Sequence, residues 1–140
     1  MAQTLTGGCL CGAVRYKVTA DLIFSGKCYC DDCRKTSGTG HGSVFAVPEQ
    51  SVSITGKLTA YRKAGGSGQP ITRRFCPICG SRIAAIADVM PGVMMVTAST
   101  LDDPEKFVSQ MSVFASRAKL GSAAGELAGI RGDAAAAGLS

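Results

Sequence analysis

Seven cysteines fall into three tight groups, and their spacing constrains this chain more than any other feature. Cys9-Leu10-Cys11-Gly12 and Cys76-Pro77-Ile78-Cys79-Gly80 are pairs, and Cys28-Tyr29-Cys30-Asp31-Asp32-Cys33 is a triplet. An odd number of thiols would strand one of them in a disulfide framework, whereas closely spaced pairs are the pattern of zinc ligands. Structural zinc takes four protein ligands; zinc that does chemistry usually holds three and keeps one position for water or substrate. The seven cysteines therefore divide most simply into four plus three. Cys9, Cys11, Cys76 and Cys79 read as a closed site, and Cys28, Cys30 and Cys33 as an open or labile one. For the triplet, a second structural zinc completed by His41 or an aspartate is the alternative. His41 is the only histidine, so no three-histidine site can be built. Closing the four-cysteine site would clamp the first strand to a later hairpin across 64 intervening residues, constraining the unfolded chain.

The remaining pattern is that of short strands. Residues 4–8 form a first strand and turn, and Ala13-Val14-Arg15-Tyr16-Lys17-Val18 alternates as a half-buried strand does. Asp21 to Phe24 is a short apolar segment before the triplet. Asp31 to Ser37 suits one short helix closed by Gly38, with Asp31 and Asp32 at its start. Ser43 to Val47 is a strand stopped by Pro48. Val52-Ser53-Ile54 and Leu58 to Arg62 read as a hairpin around Thr55-Gly56-Lys57, and Ala64 to Pro70 as a mobile loop. Ile71 to Phe75 runs into Cys76-Pro77-Ile78-Cys79-Gly80 and Ser81 to Ile86 leaves it, which places that knuckle at a hairpin tip. Val93 to Thr97 is a buried strand, in which the adjacent Met94 and Met95 face opposite ways as core filling. Asp103 and Pro104 can start a short helical turn, and Met111 to Ala115 is the last strand. The fold class is mainly β, with zinc-knuckle hairpins and few short helices. Residues 1–120 form one domain, and 121–140 are an Ala/Gly-rich tail too poor in bulk to insist on packing.

Charge and targeting narrow the function. Seven thiolates holding two zinc ions would lower the formal charge from +5 to about +2. Without a basic run interleaved with aromatics, nucleic acid is not the expected partner. Arg62, Lys63, Arg73 and Arg74 read first as a solvated basic face and second as contacts for an anionic substrate. No 18-residue apolar run and no secretory start are present, so no membrane contact is expected and the chain is expected in the cytoplasm, where thiols stay reduced.

Four ordered motifs carry a family resemblance. Gly7-Gly8-Cys9-Leu10-Cys11-Gly12-Ala13-Val14-Arg15-Tyr16, the Cys28/Cys30/Cys33 triplet with Arg34-Lys35-x-Ser37-Gly38, Arg74-Phe75-Cys76-x-x-Cys79-Gly80-Ser81, and Leu101-Asp102-Asp103-Pro104 together resemble the glutathione-dependent formaldehyde-activating enzyme family over about residues 5 to 118. The resemblance implies tent-like antiparallel sheets and two zinc sites. By it, Cys9, Cys11, Cys76 and Cys79 hold the structural zinc, while Cys28, Cys30 and Cys33 hold the catalytic one. The implied activity is a carbon-sulfur lyase reaction run in reverse, joining formaldehyde to the glutathione thiol as S-hydroxymethylglutathione. A non-catalytic zinc-stabilised binding module of the same fold is the alternative. Glutathione is anionic, so Arg34, Lys35, Arg62 and Arg73 are candidate contacts for its carboxylates. Substrate identity beyond this, the fourth partner of the triplet and the oligomeric state are not legible in the sequence.

Overall fold

The structure is a computed structural model that describes residues 3–120; the tail expected over 121–140 lies outside them. Ten strands and one α-helix follow in the order β1 (Gln3–Gly8), β2 (Arg15–Ala20), β3 (Phe24–Cys28), α1 (Asp31–Ser37), β4 (Gly42–Pro48), β5 (Val52–Thr55), β6 (Thr59–Ala64), β7 (Pro70–Phe75), β8 (Arg82–Ala87), β9 (Val93–Thr97) and β10 (Met111–Val113). Short 3-10 turns fill several connections, one at Pro104–Lys106, where the Asp103 carboxylate accepts from the Glu105 N–H as a cap.

The strands form two sheets. A three-stranded antiparallel sheet has the order β1-β2-β5, and a seven-stranded sheet the order β10-β3-β4-β9-β8-β7-β6. The expected mainly β class is what the chain adopts. In the small sheet Leu5, Tyr16 and Val18 turn inward while Thr4, Thr6, Arg15 and Lys17 face water, the period-2 alternation that the sequence displays. In the large sheet β4 is buried on both faces, with Val44, Phe45, Ala46 and Val47 all inside, because a central strand is covered on either side. The edge strands β6 and β10 are exposed along their whole length. One core joins the two sheets: Leu5, Val14, Tyr16 and Val18 meet Phe45, Val47, Ile83, Met94 and Val96.

Phe45 is the largest fully buried side chain. Replacing it by alanine removes a ring that neighbouring strands cannot collapse onto, so Phe45→Ala is expected to cost about 3–5 kcal/mol, read as a lowered denaturant midpoint with an unchanged slope.

Three expectations need correction. Val52 to Ile54 and Leu58 to Arg62 do not pair as a hairpin: β5 joins β2 in the small sheet, and β6 joins β7 in the large one. The reason lies at Gly56, whose φ of +98° and contact with the Ala13 carbonyl leave no room for a side chain, so the chain crosses between sheets there. Phe24 to Cys28, read only as the approach to the triplet, is a full strand paired with β4. The final strand is shorter than expected and pairs in parallel with β3, ending where Phe114 takes a positive φ of 54°.

Candidate metal centre and cleft

The two cysteine pairs sit at the turns of two hairpins. Cys9 and Cys11 lie between β1 and β2, and Cys76 and Cys79 between β7 and β8, so the four sulfurs bridge the two sheets. Each turn is shaped by its own backbone: the Gly12 N–H donates to the Cys9 carbonyl at 3.1 Å, and the Gly80 N–H to the Cys76 carbonyl at 2.9 Å. Gly80, at φ +78°, supplies the left-handed residue the second turn requires. Ser81 ties the turns together, its Oγ accepting the Leu10 N–H at 3.0 Å and lying 3.3 Å from Cys79 Sγ.

The sulfurs fit a zinc ion. Cys9 Sγ and Cys11 Sγ are 3.6 Å apart, and Cys11 Sγ and Cys76 Sγ 3.7 Å, close to the roughly 3.8 Å edge of a tetrahedron with Zn–S bonds of about 2.3 Å. Backbone N–H groups point at the sulfurs as they do at thiolates, from Val14 to Cys9 at 3.2 Å and from Ile78 to Cys76 at 3.4 Å. Hydrogen bonds from Ser81 hold Cys79 down to about 5. Cys11, although the Ala13 N–H lowers it, is pushed up to about 11 by burial and by the other sulfurs. Cys9, although burial raises it, is lowered by the Val14 N–H and by Cys11 and Cys76, and protons still held by the cluster would leave as a metal arrives.

The triplet is assembled differently. Cys28 ends β3, Cys30 caps α1, and Cys33 lies in the first helical turn, where Cys30 Sγ accepts the Cys33 N–H at 3.3 Å. The three sulfurs lie within 4.8 Å of one another. Cys33 is held down to about 5, first by the hydrogen bond from Cys28 and then by the Arg82 and Arg73 guanidiniums nearby; Cys28 is pushed up by that hydrogen bond and by burial. Among the described residues no histidine or carboxylate joins the group. His41 instead stands against the Tyr29 ring, with centroids 5.3 Å apart, and burial lowers its pKa. Asp32 is engaged by Lys63 at 3.0 Å and by Arg73 at 4.0 Å. The three sulfurs of the triplet are thus gathered as a group that could hold a metal ion.

A cleft of about 850 Å³ is lined by Cys9, Ser81 and Arg82 and by Thr36, His41 and Gly42. At its rim Arg15 and Asp102 form a bidentate ion pair, which together with Thr6 lowers Asp102 to about 2. Of the cations proposed to meet carboxylates, Arg62 is held by Asp88, and Arg34 pairs with Asp31 at 3.5 Å. Arg73 is only 6% exposed, so it faces Asp32 and the triplet rather than solvent. Lys35 alone of the four is exposed without an ion pair to any described residue. Arg82, which sequence reasoning passed over, reaches the cleft instead; its one signal was a cation two residues beyond Gly80.

No described helix is long and apolar enough to cross a membrane. A crystal structure of a Rhodobacter sphaeroides protein aligns with 72% of this chain and 93% of its own at a TM-score of 0.57 and 23% identity, which supports the fold. A curated Halomonas elongata protein that bears the name of a glutathione-dependent formaldehyde-activating enzyme is 30% identical over 103 residues, a match spanning 70% of this chain and 66% of that protein's length. The model of the glutathione-dependent formaldehyde-activating enzyme family matches residues 4–117, a stretch that holds all seven cysteines and the residues lining the cleft. With motifs, sheets and cysteine geometry in agreement, the chain belongs to the glutathione-dependent formaldehyde-activating enzyme family.

Proposed function

We propose that this chain is a carbon-sulfur lyase that joins formaldehyde to the thiol of glutathione, giving S-hydroxymethylglutathione, at the site built by Cys28, Cys30 and Cys33. The observation that supports this most is the gathering of three sulfurs, with no fourth ligand among the described residues, near a cleft lined by hydroxyls. A zinc ion held there would supply an open Lewis-acidic position for a sulfur or an aldehyde oxygen. The other four cysteines, Cys9, Cys11, Cys76 and Cys79, serve a structural zinc.

The chain's own groups prepare the site. Cys30 caps α1 and so holds Cys33 in place, and Asp32, gripped by Lys63 and Arg73, anchors the same helical turn to the large sheet. The buried Arg73 offsets the negative charge that the thiolates concentrate there. The cleft's hydroxyl-rich lining suits a peptide such as glutathione, and the exposed Lys35, which precedes Thr36 of that lining in sequence, is the candidate cation for a carboxylate. Thiolate ligands persist best in a reducing compartment, which supports a cytoplasmic location.

Formaldehyde adds to thiols without help, so the test is the rate above that background. Exchange between formaldehyde and its glutathione adduct, followed by magnetisation-transfer NMR, is expected to accelerate with protein and to require glutathione rather than a simple thiol such as 2-mercaptoethanol. Rates identical with and without protein would instead assign the chain to a zinc-stabilised binding module.

A further inference from the structure

Among the described residues, Asp102 is the one carboxylate that lines the cleft, and it is held there from two directions. Its backbone N–H donates to the Thr6 carbonyl at 2.9 Å, next to the bridge between Gly7 and Leu101, so the edge of the small sheet fixes the loop that carries it. Its carboxylate accepts from Thr6 Oγ1 at 2.8 Å and from both terminal nitrogens of Arg15, from Nη1 at 2.9 Å. Arg15 reaches it from β2 by passing over Gly8, its register partner on β1. A β-carbon built on Gly8 would lie 2.8 Å from Arg15 Cδ and 3.0 Å from Nη1, so a side chain at that position would push the guanidinium aside.

The pair has capacity left over. These contacts use three of the roughly four acceptor positions of a carboxylate and two of the five N–H groups of a guanidinium. The two side chains are 48% and 45% exposed, which leaves the remaining positions within reach of a solute. An ion pair this exposed contributes little to folding. Fixed at the rim of a cleft, it is a cation and an anion held side by side, and the group that matches it carries an ammonium and a carboxylate on one carbon. A carboxylate alone would gain Arg15 at the cost of repulsion from Asp102.

Glutathione has one such group. Its γ-glutamyl end bears both charges on the same carbon, two methylene groups beyond the peptide carbonyl, whereas its glycyl end bears a carboxylate alone. The cleft lined by Arg15 and Asp102 is lined also by Gly42, where a built β-carbon would come 3.3 Å from Arg82 Nη1 and 3.6 Å from Cys33 Sγ. On the reading that this chain acts on glutathione, we infer that the Arg15–Asp102 pair seats the γ-glutamyl zwitterion, its carboxylate on Arg15 and its ammonium on Asp102. The tripeptide then lies in the cleft with its thiol toward Gly42 and Cys33. Thiols without the zwitterion forgo this seat, so the pair sets the preference for glutathione while touching no reacting atom.

The test uses the full-length, zinc-loaded protein and two thiol-blocked ligands, S-methylglutathione and its N-acetyl derivative, titrated by calorimetry so that binding is read without turnover. Acetylation removes the ammonium and leaves the rest of the ligand in place. It is expected to weaken binding to the parent protein roughly 10–100-fold, the cost of one charge-assisted hydrogen bond. In Asp102→Asn the unblocked ligand is expected to weaken by a similar factor and the acetylation penalty to shrink to about twofold, the non-additivity of groups in contact. Arg15→Met is expected to lose, in the same way, the distinction between S-methylglutathione and its γ-glutamyl α-carboxamide. Both variants are expected to fold and keep their zinc, because the pair is half exposed. Equal binding of the two ligands by the parent would overturn the seat, and this arm needs no variant. So would an acetylation penalty as large in Asp102→Asn as in the parent, which would leave the pair as a tie between the small sheet and the loop after β9. Absence of S-methylglutathione binding with glutathione-dependent acceleration intact would overturn the seat and spare the function. The expected discrimination in a protein that shows no acceleration would overturn the function and spare the seat.

Discussion

Cys76→Ser is expected to leave no cooperatively folded protein at 37 °C. Cys76 is fully buried at the point where the two sheets are joined, 3.7 Å from Cys11 Sγ, and its backbone N–H is already committed to the Ser81 carbonyl at 2.9 Å. A four-thiolate zinc contributes on the order of 10 kcal/mol to folding, comparable to the whole stability of about 5–15 kcal/mol that a domain of this size retains. The small sheet has only three strands and shares its core with the large one, so releasing the clamp exposes Leu5, Tyr16 and Val18 together. Zinc content per chain and dispersion of the amide NMR spectrum check this. A Cys76→Ser protein that holds two zinc ions and a dispersed spectrum would show that the four-cysteine site does not carry the fold. The same logic orders the response to a strong chelator: the three-ligand zinc leaves first with the spectrum dispersed, and the four-ligand zinc leaves with unfolding.

Cys30→Ser is expected to do the opposite, abolishing activity while sparing the fold. Serine is a strong helix cap, so the hydroxyl can accept the Cys33 N–H that Cys30 Sγ accepts at 3.3 Å. What is lost is one of only three sulfurs. Zinc is expected to fall from two per chain to one, with the melting temperature changed by a few degrees at most, since α1 packs on the outside of β4 and the core cluster contains no residue of the triplet. If the open metal position contributes about 4 kcal/mol to the barrier, the acceleration over background is expected to drop roughly 10³-fold. Full turnover in a Cys30→Ser protein holding one zinc would remove the triplet from the chemistry.

Much of the architecture was legible from local pattern. Alternation in residues 13–18 marked a strand because a face against a core repeats every second residue, and residues 71–75 and 81–86 were legible as the arms that flank a cysteine knuckle. The knuckle at Cys76 to Gly80 was readable because a tight turn needs Pro77 and Gly80 where they stand. The helix at Asp31 to Ser37 was legible from its acidic start and the glycine after its end. The errors share one cause. Val52–Thr55 and Thr59–Ala64 both look like strands with a turn between them, and nothing in a period of two says whether two neighbours pair with each other or with strands elsewhere. The cations were misjudged for a related reason. Arg73 alternates as a surface residue would, yet it is buried beside Asp32, because the helix that carries the triplet folds over that strand.

By itself, then, the sequence determined the four-plus-three grouping of the cysteines, the mainly β class and the family, since ligand spacing, side-chain alternation and turn residues all act over a few positions. Tertiary structure alone decided which strands share a sheet, that the four sulfurs join the two sheets, and that Gly42, Cys33 and Arg82 meet at one wall of the cleft. Those outcomes depend on pairing across long loops and on the reach of an arginine from a strand that is not the neighbour of Gly42's own, and such distances are set only when the core closes.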